Sequence, residues 1–562
     1  MDRGPISDAE ARVLPSVCPL DCPDRCSLDV VVEGGRVTSI GGSRSNPLTQ
    51  GFICSKVARF ARRLYGPDRV LTPLRRVGAK GSGKFVRISW QDAAGEIAAR
   101  LPALCGEYGG ECVLPFYYGG SNGLLTQGLM DAFFFRRLGS SRLARTVCAA
   151  STTLAGRAIY GKMPGVAFED FARAQFILIW GANPRRSNIH LIPYLKEAKR
   201  RGARIAVVDP RRILGDELVD LHLRVYPGSD VAVALAMIRH LVHGGLAAVP
   251  FLERHATGWK ELFEWAEGFT LERAARCARI APGEIGALAD AYAGSDPAVV
   301  RCGWGLERNR NGLASVAAVL ALPAVAGKFG KPGGGFTLSN SGAYRTDDDK
   351  LAGTAEPATR TLNMNRLGSL LTGKLDPPVK ALFIYNANPA VTIPDTNGVL
   401  RGLQREDLFT VVLEQVMTDS ARFADIVLPA TTFLEHRELN KSYGCYALQL
   451  AGPAVLPEGE SKSNAEIFQL LGRALGWTEE ILGFYDRQLL AHAVGSVGAS
   501  LETNLTPAVL EARRILHFDF PGRQPVQFGN AFPGTSDGKV HLWPDELGER
   551  PYLFLDAPEA PD

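Results

Sequence analysis

One stretch of this chain occurs twice, 205 residues apart, and that repetition limits the fold more than any other feature. The first copy reads FILIWGANP, Phe176 to Pro184, and the second ALFIYNANP, Ala381 to Pro389. Each is an apolar run long enough for one buried strand, closed by a turn of small and amide residues. The register persists. Asp209 in IAVVDP lies 28 residues after Gly181, and Glu414 in TVVLEQ lies 28 after Asn386. Asp220 and Asp425 follow their acidic partners by 11 residues, and each precedes a strand-like run ending in Pro227 or Pro429.

Each copy therefore reads as strand, turn, helix, strand and acidic residue. That is half of a doubly wound nucleotide-binding unit, whose ligand sits beyond the carboxyl ends of the strands. Neither copy carries GxGxxG, so an ordinary nicotinamide site is not supported. On the repeat alone, two duplicated α/β domains that bind nothing remain an alternative, because a fold does not dictate a function.

The rest of the chain agrees with an α/β class. From Pro73 onward strand-like runs alternate with helical patterns such as Gln91 to Leu104. Gly-rich loops at Gly119-Gly120 and Gly333–Gly335 interrupt that pattern. The longest apolar stretch, Leu313 to Gly327, is too short to span a bilayer, contains Pro323 and predicts a buried helix. Residues 1–15 read as a tail, and Leu28 to Val32 and Arg36 to Ile40 as a hairpin about Glu33-Gly34-Gly35. A length of 562 residues suggests about three or four domains. The net charge of +4, with no basic block, speaks against a nucleic-acid partner. The N-terminus shows no apolar h-region and no twin arginine, which predicts a cytoplasmic protein. There, clustered thiols suggest metal ligands rather than disulfides.

Ten cysteines are present, and four of them show an informative spacing. Cys18, Cys22 and Cys26 have three residues between neighbours, and Cys54 follows after 27 more. Three close thiols and a distant fourth suit a four-iron cubane, whereas zinc sites usually pair their ligands two by two. Zinc is the alternative. Cys105, Cys112, Cys277, Cys302 and Cys445 are scattered and read as apolar fillers.

The segments VCPLDCPDRCSLDVVVEGGRV and GFICSKVARF resemble the N-terminal domain of the dimethyl sulfoxide reductase family, the molybdenum or tungsten bis(molybdopterin guanine dinucleotide) oxidoreductases. WGANP at 180–184, VVDPR at 207–211, PGSD at 227–230, FGKPGGG at 329–335 and ADIVLPATTFLE at 424–435 extend the resemblance over residues 16–480. It implies a small 4Fe-4S domain (16–72) and two pseudo-symmetric Rossmann-like halves, 146–333 and 73–145 with 334–505, each holding one dinucleotide. It also implies that Cys18, Cys22, Cys26 and Cys54 ligate the cluster, and that Lys56 lies between cluster and pterin. Gly181, Asn183, Asp209, Gly228 and Asp230 would line one dinucleotide, and Asn386, Asn388 and Glu414 the other, with Trp304 in a further lining stretch. Cys148, in RTVCAAS before the first copy, falls where the family places its protein ligand to the metal, and a soft thiolate suits such a metal.

Formate dehydrogenases of this family usually follow that ligand with histidine; here Ala149 follows, and the formate-site arginine region is not recognisable, so formate oxidation is disfavoured. The family ordinarily ends in a β-rich domain. Residues 506–562 read as its lead-in, which predicts open clefts and either loss of pterin during purification or a separate capping polypeptide. The expected function is two-electron redox catalysis on a small substrate, with electrons leaving through the cluster to a partner protein. The alternative is a non-catalytic electron-transfer or scaffold subunit.

Overall fold

The computed structural model describes residues 11–498, 501–522 and 524–556. The two copies lie in two parallel sheets. In the first, the strands Leu221–Leu223, Arg204–Val208, Phe176–Trp180, Ala298–Cys302 and Gly335–Thr337 run side by side in that order. In the second, Ile426–Pro429, Phe409–Glu414, Ala381–Tyr385 and Val113–Tyr117 do the same. Leu74–Arg76 and Phe85–Arg87 extend its edge in antiparallel fashion.

Continuous apolar runs form these strands because both faces are covered. Phe176, Leu178 and Trp180 enter one core and Ile177 and Ile179 another. Ala381, Phe383 and Tyr385 are likewise separated from Leu382 and Ile384. The repetition extends to single hydrogen bonds. Ile205 N donates to Asp220 Oδ2 and Thr410 N to Asp425 Oδ2, each at 2.7 Å. The amides of Asp220 and Asp425 return bonds of 2.8 Å to Ile205 O and Thr410 O. The second acid of each copy is therefore a staple between two strands. At the end of each lead strand, Gly181 (φ +62°) and Asn386 (φ +51°) occupy the left-handed region. Glycine and asparagine tolerate that region better than most residues.

The helix Gly312–Val325 is buried on nearly every side and packs against Ala150–Tyr160 and Asp230–His243. The helix Trp90–Tyr108 outruns its expected bounds at both ends and starts with a capping box of Ser89 and Asp92. The expected hairpin forms from Ser27–Glu33 and Arg36–Gly42. The expected tail is shorter than residue 15, because Arg12–Val17 pairs antiparallel with the hairpin, Leu14 packs against its core and Val17 is buried. The described end of the chain docks through aromatic anchors. Tyr552 is fully buried and its carbonyl accepts from Trp265 Nε1 at 3.0 Å. Asn311 exchanges two 2.9 Å bonds with the Leu555 backbone. Among the described residues no helix is long and apolar enough to cross a membrane.

Candidate active site

Cys18, Cys22 and Cys26 stand on the loop between the first two strands, and Cys18 N donates to Cys26 O at 2.9 Å, which folds the loop back on itself. Cys54 directly precedes the short helix Ser55–Ala58. Burial raises the pKa of the Cys18, Cys22 and Cys26 thiols, and Cys54 is close enough to push Cys18 up further, as Cys18 does Cys22 and Cys26. Thiols buried this closely ionise together only when positive charge offsets them, which a metal cluster does. The residues thus fit the cluster. Among the described residues no three metal-ligating side chains close on one point as they would round a single ion.

Several groups that the sequence did not reveal hold this loop. Asp24 accepts from Asn188 Nδ2 at 2.5 Å and lies 3.0 Å from His190 Nδ1. The other imidazole nitrogen sits 2.9 Å from Phe52 O and 3.0 Å from Thr49 O. Burial lowers the pKa of His190, but the Asp24 carboxylate and the two carbonyls outweigh it and the net shift is upward. The ring ties the cluster loop to the segment before Cys54, and Cys26 Sγ lies 3.8 Å from its Nδ1. Cys445 is more than a filler, since its thiol donates to Asp24 O at 3.0 Å. Cys105 and Cys112 are adjacent rather than scattered, each shifting the other's ionisation.

Beyond the cluster loop lies a cavity of about 740 Å³. Lys56 and Asp21 line it from the cluster side, Val147 from the segment before Cys148, and Asn386, Asn388 and Glu414 from the second sheet. Arg59, Arg62 and Arg63 add positive charge; their spacing with Lys56 in KVARFARR was a readable sign of one basic helical face. Asn386 Nδ2 is buried without a partner, while its carbonyl accepts from Gly120 N at 2.9 Å. A Cβ on Gly120 would meet that carbonyl oxygen at 2.5 Å, so only glycine lets the two loops touch. Asn388 Oδ1 is occupied by Ser420 N at 3.1 Å and Ser420 Oγ at 2.7 Å. Glu414 accepts from Gln415 N at 2.7 Å and faces Arg63 at 3.6 Å.

Glu438, fully buried, braces the loop that separates this cavity from its neighbour. It accepts from Leu125 N, Thr126 N and Leu439 N at 2.7–2.9 Å. Burial raises its pKa to about 7 although these amides pull it down. A raised folded pKa gives stability that is complete below the unfolded value near 4.5 and lost as pH rises through 7, roughly 3 kcal/mol in all. The melting temperature of wild type should therefore fall relative to that of Glu438→Gln between pH 5 and 7. Parallel melting curves across that range would contradict the protonated carboxyl.

The first copy presents the matching edge. Asn183 is equivalent to Asn388, but Gly215 stands where Ser420 stands in the other copy, and Asn183 Oδ1 is buried without a partner. Asp209, at the end of its strand, accepts from Arg211 N at 2.9 Å. Asp230 is buried at the head of the helix Asp230–His243 and accepts from Trp180 Nε1 at 2.8 Å; burial raises its pKa to about 6. Gly228 O accepts from Asn311 Nδ2 at 2.9 Å. Trp304 packs edge-on against Tyr443 at 5.2 Å, its indole nitrogen buried and unpartnered. Unpartnered polar atoms buried at both strand ends and at Trp304 are what a large polar ligand would satisfy. The residues present fit a dinucleotide at each sheet.

Cys148 is half-buried just before the helix Ala150–Tyr160. Arg308 clamps its segment, donating to Val147 O and Cys148 O at 2.6 Å each. Burial and then the nearby Asp21 carboxyl raise the thiol's pKa, while Arg308 and the Tyr118 hydroxyl lower it. Asp21 is itself raised by burial and held by the Tyr443 hydroxyl. Cys148, Asp21, Tyr118 and Tyr443 therefore form one neighbourhood, of which the sequence pointed only to Cys148.

The molybdopterin oxidoreductase family matches residues 69–474, and the molybdopterin oxidoreductase Fe4S4 domain matches residues 11–66. The probable oxidoreductase YoaE of Bacillus subtilis is 36% identical over 547 residues, which are 95% of this chain and 78% of that protein. The assimilatory nitrate reductase catalytic subunit of the same organism is 24% identical, over 82% of this chain and 67% of that one. Acetylene hydratase from Pelobacter acetylenicus shares the fold, with a TM-score of 0.79 at 23% identity, over 97% of this chain and 79% of that one. With a cluster domain, a duplicated α/β body and these matches along most of its length, the chain belongs to the molybdopterin oxidoreductase family.

Proposed function

We propose that this chain carries out two-electron redox chemistry on a small substrate beside Cys148, and passes electrons singly through the Cys18–Cys22–Cys26–Cys54 cluster to a partner protein. The observation that carries the reading is the shared cavity. Lys56 and Asp21 on the cluster side, Val147 beside Cys148, and Asn386 and Glu414 on the second sheet all line it. The bound metal–pterin group would supply the two-electron step and the cluster the one-electron exit.

The chain's own residues have distinct tasks in this reading. The Cys148 thiolate is the protein ligand to molybdenum or tungsten, and the Tyr118 hydroxyl orients its sulfur. Lys56 places a positive charge between the thiols and the cavity. Arg59, Arg62 and Arg63 would hold a dinucleotide diphosphate, and the free amide of Asn386 would bond to the same ligand. Gly181, Asn183, Asp209 and Gly228 form the corresponding Rossmann-like edge for the second dinucleotide, with Trp304 beside it. Asp230 acts indirectly, because its carboxyl is bound to Trp180. Asp21, paired with Tyr443, is placed to hold or release a proton next to Cys148, a task that Ala149 cannot perform. The domain division in this reading is 16–72, 146–333 and 73–145 with 334–505; the strand Gly335–Thr337 pairs with Ala298–Cys302 of the first sheet, which moves it to the 146–333 half. Because Cys148 is present beside titratable groups, catalysis is favoured over a scaffold role.

Anaerobically purified protein should contain about four irons per chain, by cubane stoichiometry, together with molybdenum or tungsten and pterin. Stoichiometric zinc without iron, or iron without any pterin, would sink the reading.

A further inference from the structure

A second cavity, of about 500 Å³, adjoins the first and shares Asp21 with it. Its charge is the unusual feature. Two of its arginines are neutralised, Arg136 by Asp349 at 2.7 Å and Arg142 by Glu356 at 3.3 Å. Three other cations, Arg25, Arg145 and Lys441, come from separate segments and have no carboxylate within ion-pair distance among the described residues. Arg25 is buried at 3% exposure, its Nε unpartnered and one terminal nitrogen 3.3 Å from Cys18 O. Half-buried Lys441 meets Thr346 Oγ1 at 3.5 Å and lies over the Tyr344 ring, 5.3 Å from its centroid. Arg145 reaches in from an exposed position, against the Tyr117 ring. The facing acids are Asp21, bound to Tyr443, buried Asp131, bound to the Tyr385 hydroxyl at 3.0 Å, and exposed Asp348, besides the Glu356 that pairs with Arg142.

An unpaired cation taken out of water is costly unless an anion meets it. Arginine's fork suits an oxyanion in particular. An exposed arginine at the rim would also draw anions inward. We infer that this cavity is the substrate's approach to Cys148 and that it binds a small oxyanion, held by Lys441, Arg145 and Arg25 next to Asp21. This rests on the reading of Cys148 as the metal-side residue. A dinucleotide diphosphate has the same charge chemistry, and the test separates it from a free oxyanion.

Sulfate, a redox-inert oxyanion, is titrated calorimetrically into the holoprotein at constant ionic strength, and pterin is quantified in each preparation. Wild type should bind about one sulfate per chain. Arg145→Gln and Lys441→Gln should each weaken that binding at least about tenfold, the scale of a lost charge-assisted hydrogen bond. Lys441→Arg should restore most of it, and Lys374→Gln, an exposed lysine outside both cavities, should leave it unchanged. Pterin content should be the same throughout. Absence of sulfate binding to wild type, or equal binding by the glutamine variants, overturns the inference. So does loss of pterin in step with the substituted charge, which would assign these cations to the cofactor's diphosphate. If sulfate binds in this charge-dependent way to protein devoid of pterin and of molybdenum or tungsten, the anion site stands and the catalytic reading fails instead.

Discussion

Cys148→Ala should abolish turnover while leaving the iron content intact. Loss of an outer partner of a metal ligand typically costs 10–100-fold, and loss of the ligand itself should cost more. The segment carrying the thiol is fixed independently of it: Arg308 grips the carbonyls of residues 147 and 148, and Glu307 accepts from Thr152 N at 2.9 Å in the helix that follows. Alanine therefore removes the sulfur without unfolding its surroundings. Tyr118→Phe keeps the thiol and removes the hydroxyl that points at it, so its loss should fall in the 10–100-fold range. Activity is read with a reduced dye as electron donor and iron by its absorbance. Wild-type turnover in Cys148→Ala would remove this residue from the metal's coordination. Joint loss of iron and activity would mean that the substitution had disturbed the cluster domain.

Much of this arrangement was legible in the chain because duplication leaves two readings of one physical requirement. An apolar run, a residue able to adopt positive φ, an amide and an acid recur at one offset, and each falls at the equivalent place along or just beyond its strand, although the two amides have different partners. Asp220 and Asp425 even repeat the same staple. Local spacing likewise singled out the candidate cluster thiols, since three of the four share one loop. The sequence was silent where partners are distant and chemically ordinary. His190 supports Cys26 from 164 residues away. Tyr443 meets Asp21 only after the chain has crossed both sheets. A lone histidine or tyrosine has no periodicity to betray it. The docking of Tyr552 was equally hidden, because one aromatic in a proline-rich ending is indistinguishable from a solvated one until the opposing Trp265 and Trp543 are in place.

Glu435→Ala should destabilise the protein by about 3–5 kcal/mol, the cost of leaving one buried charge without its partner. Arg69 Nη2 donates to Glu435 Oε2 at 2.7 Å, and the two side chains are 2% and 0% exposed. The same carboxylate accepts from Thr432 N and, through Oε1, from Glu458 N at 2.7 Å. Burial lowers the pKa of Arg69, but a guanidinium this basic stays charged, so removing the carboxylate strands a cation and two amides together. The consequence reaches the site. Thr431 and His436 line the larger cavity, and the bond between them, Thr431 Oγ1 to His436 Nδ1 at 2.7 Å, sits on the turn that Glu435 braces. Burial lowers His436 to about 4, so it is neutral at physiological pH and serves this turn as a hydrogen-bonding ring rather than as a charge. Glu435→Ala should thus lower both the melting temperature and the pterin retained after dialysis. The double variant Arg69→Met/Glu435→Leu removes the stranded charge along with its partner and should recover most of the melting temperature. A double variant no more stable than Glu435→Ala would show that the loss comes from the turn's amide bonds and not from the buried cation.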